Sequence, residues 1–222
     1  MNKPISEPKW SPRDPKSTSF EMVFGGLFDP FSPDSGKIDL DTIALVLSNS
    51  CRFNGHVLDF YSTAQHSVLV AYLSPRDIET QRMALLHDAD EAFGIPDLLT
   101  QVKKEFPEVR RIQAGIGRAI EERFALDPDA HLRIKPADRQ ALLLEKDRLK
   151  RTDNPDHWKQ WSAGLSTPEG IEIDPLPPRE ARELFEAAAR RVFEEGNPIC
   201  EEWISTQPGF KLLACVEMDP QP

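Results

Sequence analysis

The stretch MALLHDADEAF, residues 83–93, runs four core-type residues, Met83, Ala84, Leu85 and Leu86, straight into His87, Asp88, Asp90 and Glu91. One imidazole and three carboxylates at the edge of an apolar segment suit either metal binding and proton transfer or a solvated helix end. On a continuous helix, residues three and four apart share a face, so Glu91 is expected beside both His87 and Asp88. Two more ionisable residues lie on apolar stripes. His66 shares its expected face with Leu69, Val70 and Leu73, and Asp138 with Ile134, Ala141 and Leu142. Each has a plainer reading when taken alone. His66 could be a core histidine satisfied by a hydrogen bond, and Asp138 a first-turn carboxylate of a helix opened by Pro136. Together they are harder to dismiss, because buried charge needs a partner or a metal and no Lys or Arg shares these inner faces. Two imidazoles and two carboxylates form a mixed N/O set that suits Mn, Fe, Co, Zn or Ni better than calcium. The set lacks the thiolates of a purely structural zinc site. His66, His87, Asp88 and Asp138 are the expected ligands of one divalent transition metal.

Helical periodicity dominates the segments that must position these groups. IDLDTIALVLSNSC places Ile43, Leu47 and Cys51 in register, and STAQHSVLVAYLS opens on a Ser62 N-cap and stops before Pro75. PRDIETQRMALLHDADEAF is expected to begin on its proline. Val109, Ile112, Ile116, Ile120 and Phe124 form one stripe. Ile134, Asp138, Ala141, Leu142, Glu145 and Leu149 form another, and Ala181, Leu184, Phe185, Ala188 and Val192 a third that ends at Gly196. The expected fold class is an all-α helical bundle with a loop-rich C-terminal extension. Residues 1–21 read as a flexible N-terminal segment and 22–195 as the domain, with a metal core over 43–150. Residues 151–177 read as a covering loop, and 196–222 as a tail in which KLLACVEM is a short strand or coil.

The chain of 222 residues has 27 Lys and Arg against 37 Asp and Glu, a net charge of −10. That balance argues against a broad nucleic-acid surface, which needs clustered cations. It leaves room for one small anion held by a metal and an arginine. No apolar run approaches the roughly 18 residues of a membrane span. The N-terminus lacks the apolar stretch of a signal peptide. Cys51, Cys200 and Cys215 are odd in number and scattered, which suits a reducing, cytoplasmic setting.

An ordered set of an arginine, a lone histidine, His-Asp with glutamate three residues on, and a distal aspartate runs through three stretches: CRFNGHVLDFYSTAQHSVLVAYL, ALLHDADEAFGIPDLL and IKPADRQALLLEKDRL. Over roughly residues 24–150 it resembles the HD-domain metal-dependent phosphohydrolases, in particular the small branch of bacterial 5'-deoxynucleotidases and phage dATP triphosphohydrolases. The resemblance implies a helical HD fold, a homo-oligomer and a nucleotide substrate, with no nucleic-acid polymer and no membrane as partner. It makes Glu91 the carboxylate that positions or deprotonates the attacking water, Arg52 the phosphate clamp, and Asp97 the group that reads the sugar. Phe53 stands where the deoxynucleotidases carry Trp, and DLLTQVKK replaces their proline-rich segment. The implied reaction is removal of phosphate from a deoxynucleoside monophosphate. Release of tripolyphosphate from a deoxynucleoside triphosphate is the alternative, and a non-catalytic nucleotide-binding protein is the rival of another class.

Several other residues invite a role. Phe53, Phe60 and Tyr61 could stack on a base, with Phe60 read as core. His56 reads as substrate-side or surface, and His131 and His157 as surface. Asp90 is read as solvent-facing. Ser62 and Ser67 flank His66 without the surroundings of a nucleophile elbow. Lys103 and Lys104 read as a solvated helix end, with attraction of the anion as the alternative, and Trp158 and Trp161 as packing under the covering loop, with an interface role as the rival.

Overall fold

The computed structural model describes residues 18–213, apart from 153 and 163. The fold is all-α. In chain order the helices are α1 (Leu40–Asn49), α2 (Thr63–Leu73), α3 (Ile78–Leu86), α4 (Thr100–Glu105) and α5 (Pro107–Phe124). They continue with α6 (Ala130–Leu149), α7 (Pro155–Ser162), α8 (Pro178–Ala189) and α9 (Glu201–Ile204). Two short antiparallel pairs accompany them: β1 (Phe20–Glu21) with β2 (Leu27–Phe28), and β3 (Ile171–Ile173) with β4 (Phe210–Leu212).

The centre is α2. Every residue from Thr63 to Ala71 is buried, as expected of a helix surrounded by other helices. It packs against α1, α3, α6 and α8. Its first turn is capped by Ser62, whose hydroxyl accepts from the Gln65 N–H at 3.1 Å. Helix α1 is capped in the same way by Asp39, which accepts from the Thr42 N–H at 2.7 Å. The stripe of α8 buries Ala181, Leu184, Phe185 and Ala188. A π-helical turn, Arg190–Glu194, then carries Val192 into the core.

Three helix boundaries differ from expectation, and two of them matter for chemistry. Helix α3 begins at Ile78 rather than at Pro75, because the Asp77 carboxylate accepts from the Thr80 N–H at 2.9 Å and caps an otherwise orphaned donor. It ends at Leu86. His87 keeps a helical conformation, Asp88 leaves it (φ −105, ψ 12), and Ala89–Ala92 form a 3-10 turn. The shared helix face expected for His87, Asp88 and Glu91 is therefore absent. A tight turn, closed by the Glu91 N–H on the Asp88 carbonyl at 3.1 Å, places Glu91 instead. Helix α6 starts at Ala130, so Pro136 lies in its second turn and Asp138 in its interior. The buried stripe of Ile134, Ala137 and Ala141 carries the helix through the missing N–H.

The segment from 196 was expected to be a tail, but up to residue 213 it is packed. Ile199, Ile204 and Phe210 join the core, and two fully buried glutamines hold the backbone there. Gln65 donates to the carbonyls of Asp174 (2.8 Å) and Gly209 (3.2 Å) and accepts from the Leu176 N–H at 3.0 Å. Gln81 donates to the carbonyls of Ala71 (3.1 Å) and Ile199 (2.9 Å) and accepts from the Ile199 N–H at 2.7 Å. Each amide replaces backbone partners that an irregular segment lacks. Within 151–177, read as loop, residues 155–162 are helical and 171–173 form β3. At the other end, Phe20 of β1 packs on Phe28 with ring centroids 6.0 Å apart. The rest of the expected N-terminal segment, residues 1–17, and most of KLLACVEM with Cys215 lie outside the described residues. Among the described residues, no helix is long and apolar enough to cross a membrane.

Candidate metal centre

Helix α2 presents His66 from the core, the end of α3 presents His87 and Asp88, and α6 presents Asp138. The ligand atoms of His66, His87 and Asp88 lie within 4.8 Å of one another, and this group can hold a metal ion. The two imidazole Nε2 atoms are 3.3 Å apart, and Asp88 Oδ2 is 3.6 Å from that of His66 and 3.3 Å from that of His87. Asp138 Oδ1 approaches the same two nitrogens, at 3.4 and 3.9 Å, from a more exposed position.

The donor set fits an ion. Each imidazole is oriented through its other nitrogen: His87 Nδ1 lies 2.7 Å from the Ala84 carbonyl, and His66 Nδ1 lies 2.5 Å from Glu145 Oε1. A carbonyl can only accept, so Nδ1 of His87 carries the proton and its Nε2 lone pair faces the cluster. Glu145 does the same for His66 as a carboxylate, the pairing that fixes tautomer and raises basicity in metal-bound histidines. The centre also favours positive charge. Burial and Arg52 oppose protonation of His66, yet Glu145 and Asp138 outweigh them and push its pKa up to about 9. Asp138 is held well below the usual carboxylate range, since the His66 hydrogen bond and the histidine charges outweigh its burial.

Glu145 was not singled out as a functional group from the sequence. Its signal was present, because it lies two turns beyond Asp138 on the same α6 stripe, as a fully buried glutamate among apolar residues. Its second oxygen meets Arg52 Nη2 at 3.4 Å, while Arg52 Nη1 meets Asp88 Oδ2 at 3.5 Å. Arg52 is thus strung between one candidate ligand and the carboxylate that orients another. Its backbone is equally constrained. The Arg52 N–H donates to the Tyr61 carbonyl at 2.9 Å, and Cys51 bridges to Ser62, closing the base of the loop. Phe53 (φ 56), Asn54 (φ 51) and Gly55 (φ 79) then follow in left-handed conformation, a costly run for the two residues with side chains.

These groups open onto a cavity of about 950 Å³, within the size range of small-molecule sites. Arg52, Phe53, His56, Asp88, Glu91, Asp97 and Asp138 all line it. Glu91 is buried and pairs with Lys103 Nζ at 3.5 Å through Oε1, while its Oε2 has no partner among the described residues. Burial, with Asp88 and then Asp97 nearby, raises its pKa well above the ordinary glutamate value, the direction that makes a better base.

Other readings change. Asp90 is not solvent-facing: it is half-buried, accepts from Gln113 Nε2 at 2.8 Å, and burial and Asp88 push its pKa up to about 7. Tyr61 is wholly buried and does not reach the cavity lining. Ser62 serves as a helix cap, and Ser67 donates to the Thr63 carbonyl at 3.0 Å, so neither is a nucleophile. Lys103, read as a solvated helix end, is the partner of Glu91. His157 is exposed, as its surface reading has it, and it lines the cavity together with Trp158 and Trp161, whose indoles are half-buried.

The chain is 34% identical over 170 residues to the uncharacterized protein YfdR of Escherichia coli (strain K12), an alignment spanning 75% of this chain and 92% of that relative. At that identity and coverage, the chain belongs to the family of YfdR. No protein-family model matches it.

Proposed function

We propose that the chain is an HD-type, metal-dependent phosphohydrolase that removes phosphate from deoxynucleoside monophosphates. The observation that supports this best is the grouping of His66, His87 and Asp88, with Asp138 Oδ1 within 3.9 Å of both imidazoles, at a ligand-sized cavity that Arg52 and a buried Glu91 also line. Those four residues would hold the ion. A divalent cation there would offset phosphate charge and acidify water.

The chain's own groups supply the rest. The Arg52 fork can grip two phosphate oxygens, and its fixed loop spares the cost of ordering it. Glu91 accepts the proton of the attacking water as the water oxygen bonds to phosphorus. The bond from phosphorus to the sugar oxygen breaks, and the proton is returned to that leaving oxygen. Asp97, which lines the cavity, would meet a sugar hydroxyl. One observation favours the triphosphate alternative. Arg139, Lys150 and Arg151 line the same cavity besides Arg52, more positive charge than one phosphate requires. Product analysis separates the two readings, as orthophosphate from a monophosphate or tripolyphosphate from a triphosphate.

Glu91→Gln tests the role assignment, because it keeps shape and removes basicity. Metal content and nucleotide affinity should persist while the single-turnover rate falls about 10²- to 10⁴-fold. Loss of the metal would make Glu91 a ligand, and a wild-type rate would assign the proton transfer to another group.

A further inference from the structure

We infer that Trp158 and Trp161 of α7 form a nucleobase-stacking subsite for the nucleotide that the metal centre is proposed to act on. Helix α7 buries none of its described residues in the core. Its two indoles lie three residues apart, on one side of the helix, and both line the cavity that holds Asp88, Glu91 and Asp138. A phosphate and an ion fill only a small part of about 950 Å³, so the remainder takes a larger organic group. Two half-buried tryptophans facing that space are a π surface that any base can use.

A second observation points the same way. Trp161 Nε1 is buried without a hydrogen-bond partner among the described residues, although a buried indole N–H normally finds one. A turn of the indole that bares this N–H would offer it to the ring nitrogens and carbonyls of a base, which are acceptors of the right kind. Lys104 Nζ stands 5.9 Å from the Trp161 ring centroid, which ties α4 to α7 at this wall. Asn154 and Gln160 line the same cavity with amides suited to a base edge.

The subsite rests on the nucleotide reading, and the test separates the two. The full chain loaded with zinc is titrated with adenosine, guanosine, cytidine and thymidine, and with deoxyribose, by NMR. Nucleosides should bind and deoxyribose should not, and the indole N–H resonances of Trp158 and Trp161 should shift while that of Trp203 stays. Trp158→Ala and Trp161→Ala should each weaken nucleoside binding about tenfold. With manganese, each should lower the preference for a nucleotide over deoxyribose 5-phosphate by a similar factor, through KM rather than kcat. Trp161→Phe, which keeps a ring and loses the N–H, should fall between. Absence of nucleoside binding, or indole resonances that do not move, overturns the subsite even if the alanine variants fail to fold. Nucleoside binding through the indoles without nucleotide hydrolysis keeps the subsite and sinks the activity. Nucleotide hydrolysis with unchanged preference in the variants does the reverse.

Discussion

Glu145 sits in the interior as a carboxylate whose two oxygens face His66 and Arg52. A buried charge of this kind costs least when both oxygens are used. One side sets the tautomer of a ligand, and the other holds the arginine proposed to grip phosphate. Glu145→Gln keeps an acceptor for His66 Nδ1–H and removes the charge. The expected result is a loss of metal affinity of about 10- to 100-fold, the usual cost of removing such an orienting partner. Competition with a chelating dye measures it. A melting temperature alone would move under a purely structural role; unchanged metal affinity would leave Glu145 as a partner of Arg52 only.

The contact between α2 and the β3–β4 pair depends on how closely the chain passes Gln65. Gly209 has φ +79, and a Cβ there would lie 2.5 Å from Gln65 Nε2 and 2.8 Å from Leu176 Cγ. Leu176 is itself tied to Gln65 through its N–H, so neither neighbour can yield without losing a buried hydrogen bond. Gly209→Ala therefore combines overpacking, about 1–3 kcal/mol, with left-handed strain of about 1 kcal/mol. For a chain of this length that corresponds to a fall in Tm of roughly 4–16 °C. A melt within a degree or two of wild type would show that the strand pair moves freely over α2. The same element carries no cavity residue, so Gly209→Ala separates stability from chemistry.

Residues 196–213 complete the molecule rather than decorate it. Ile199 and Ile204 are fully buried, and each such side chain contributes about 1.5–3 kcal/mol by leaving water. Without this segment Gln81 loses both of its Ile199 backbone partners, and Gln65 loses the Gly209 carbonyl. Together these losses approach the whole stability of a typical domain, roughly 5–15 kcal/mol. A chain ending at Glu195 is expected to lose its cooperative thermal transition, as followed by circular dichroism. A sharp transition near that of the full chain would mean that residues 22–195 are self-sufficient.

The periodicity of the apolar residues determined the helices, because a helix face must be continuous to be buried. It marked Ala181, Leu184, Phe185 and Ala188 as the inner face of α8, and it placed His66 and Asp138 on inward stripes where ionisable groups need a shared partner. The ligand types followed from the side chains themselves. Tertiary structure decided what pattern could not carry. Asp88 breaks out of α3, so Glu91 arrives by a 3-10 turn and not along a helix face. Glu145 becomes an orienter only because α6 packs against α2 and brings residues 79 positions apart within 2.5 Å. Gln65 and Gln81 look like ordinary polar residues until a distant backbone, unpaired elsewhere, is laid across them. Trp158 and Trp161 read as packing residues until α7 is set beside the cavity. Local sequence carries the preference of a segment for its own backbone and for burial, whereas the partner of a buried polar group is chosen by whichever distant segment the fold brings within reach.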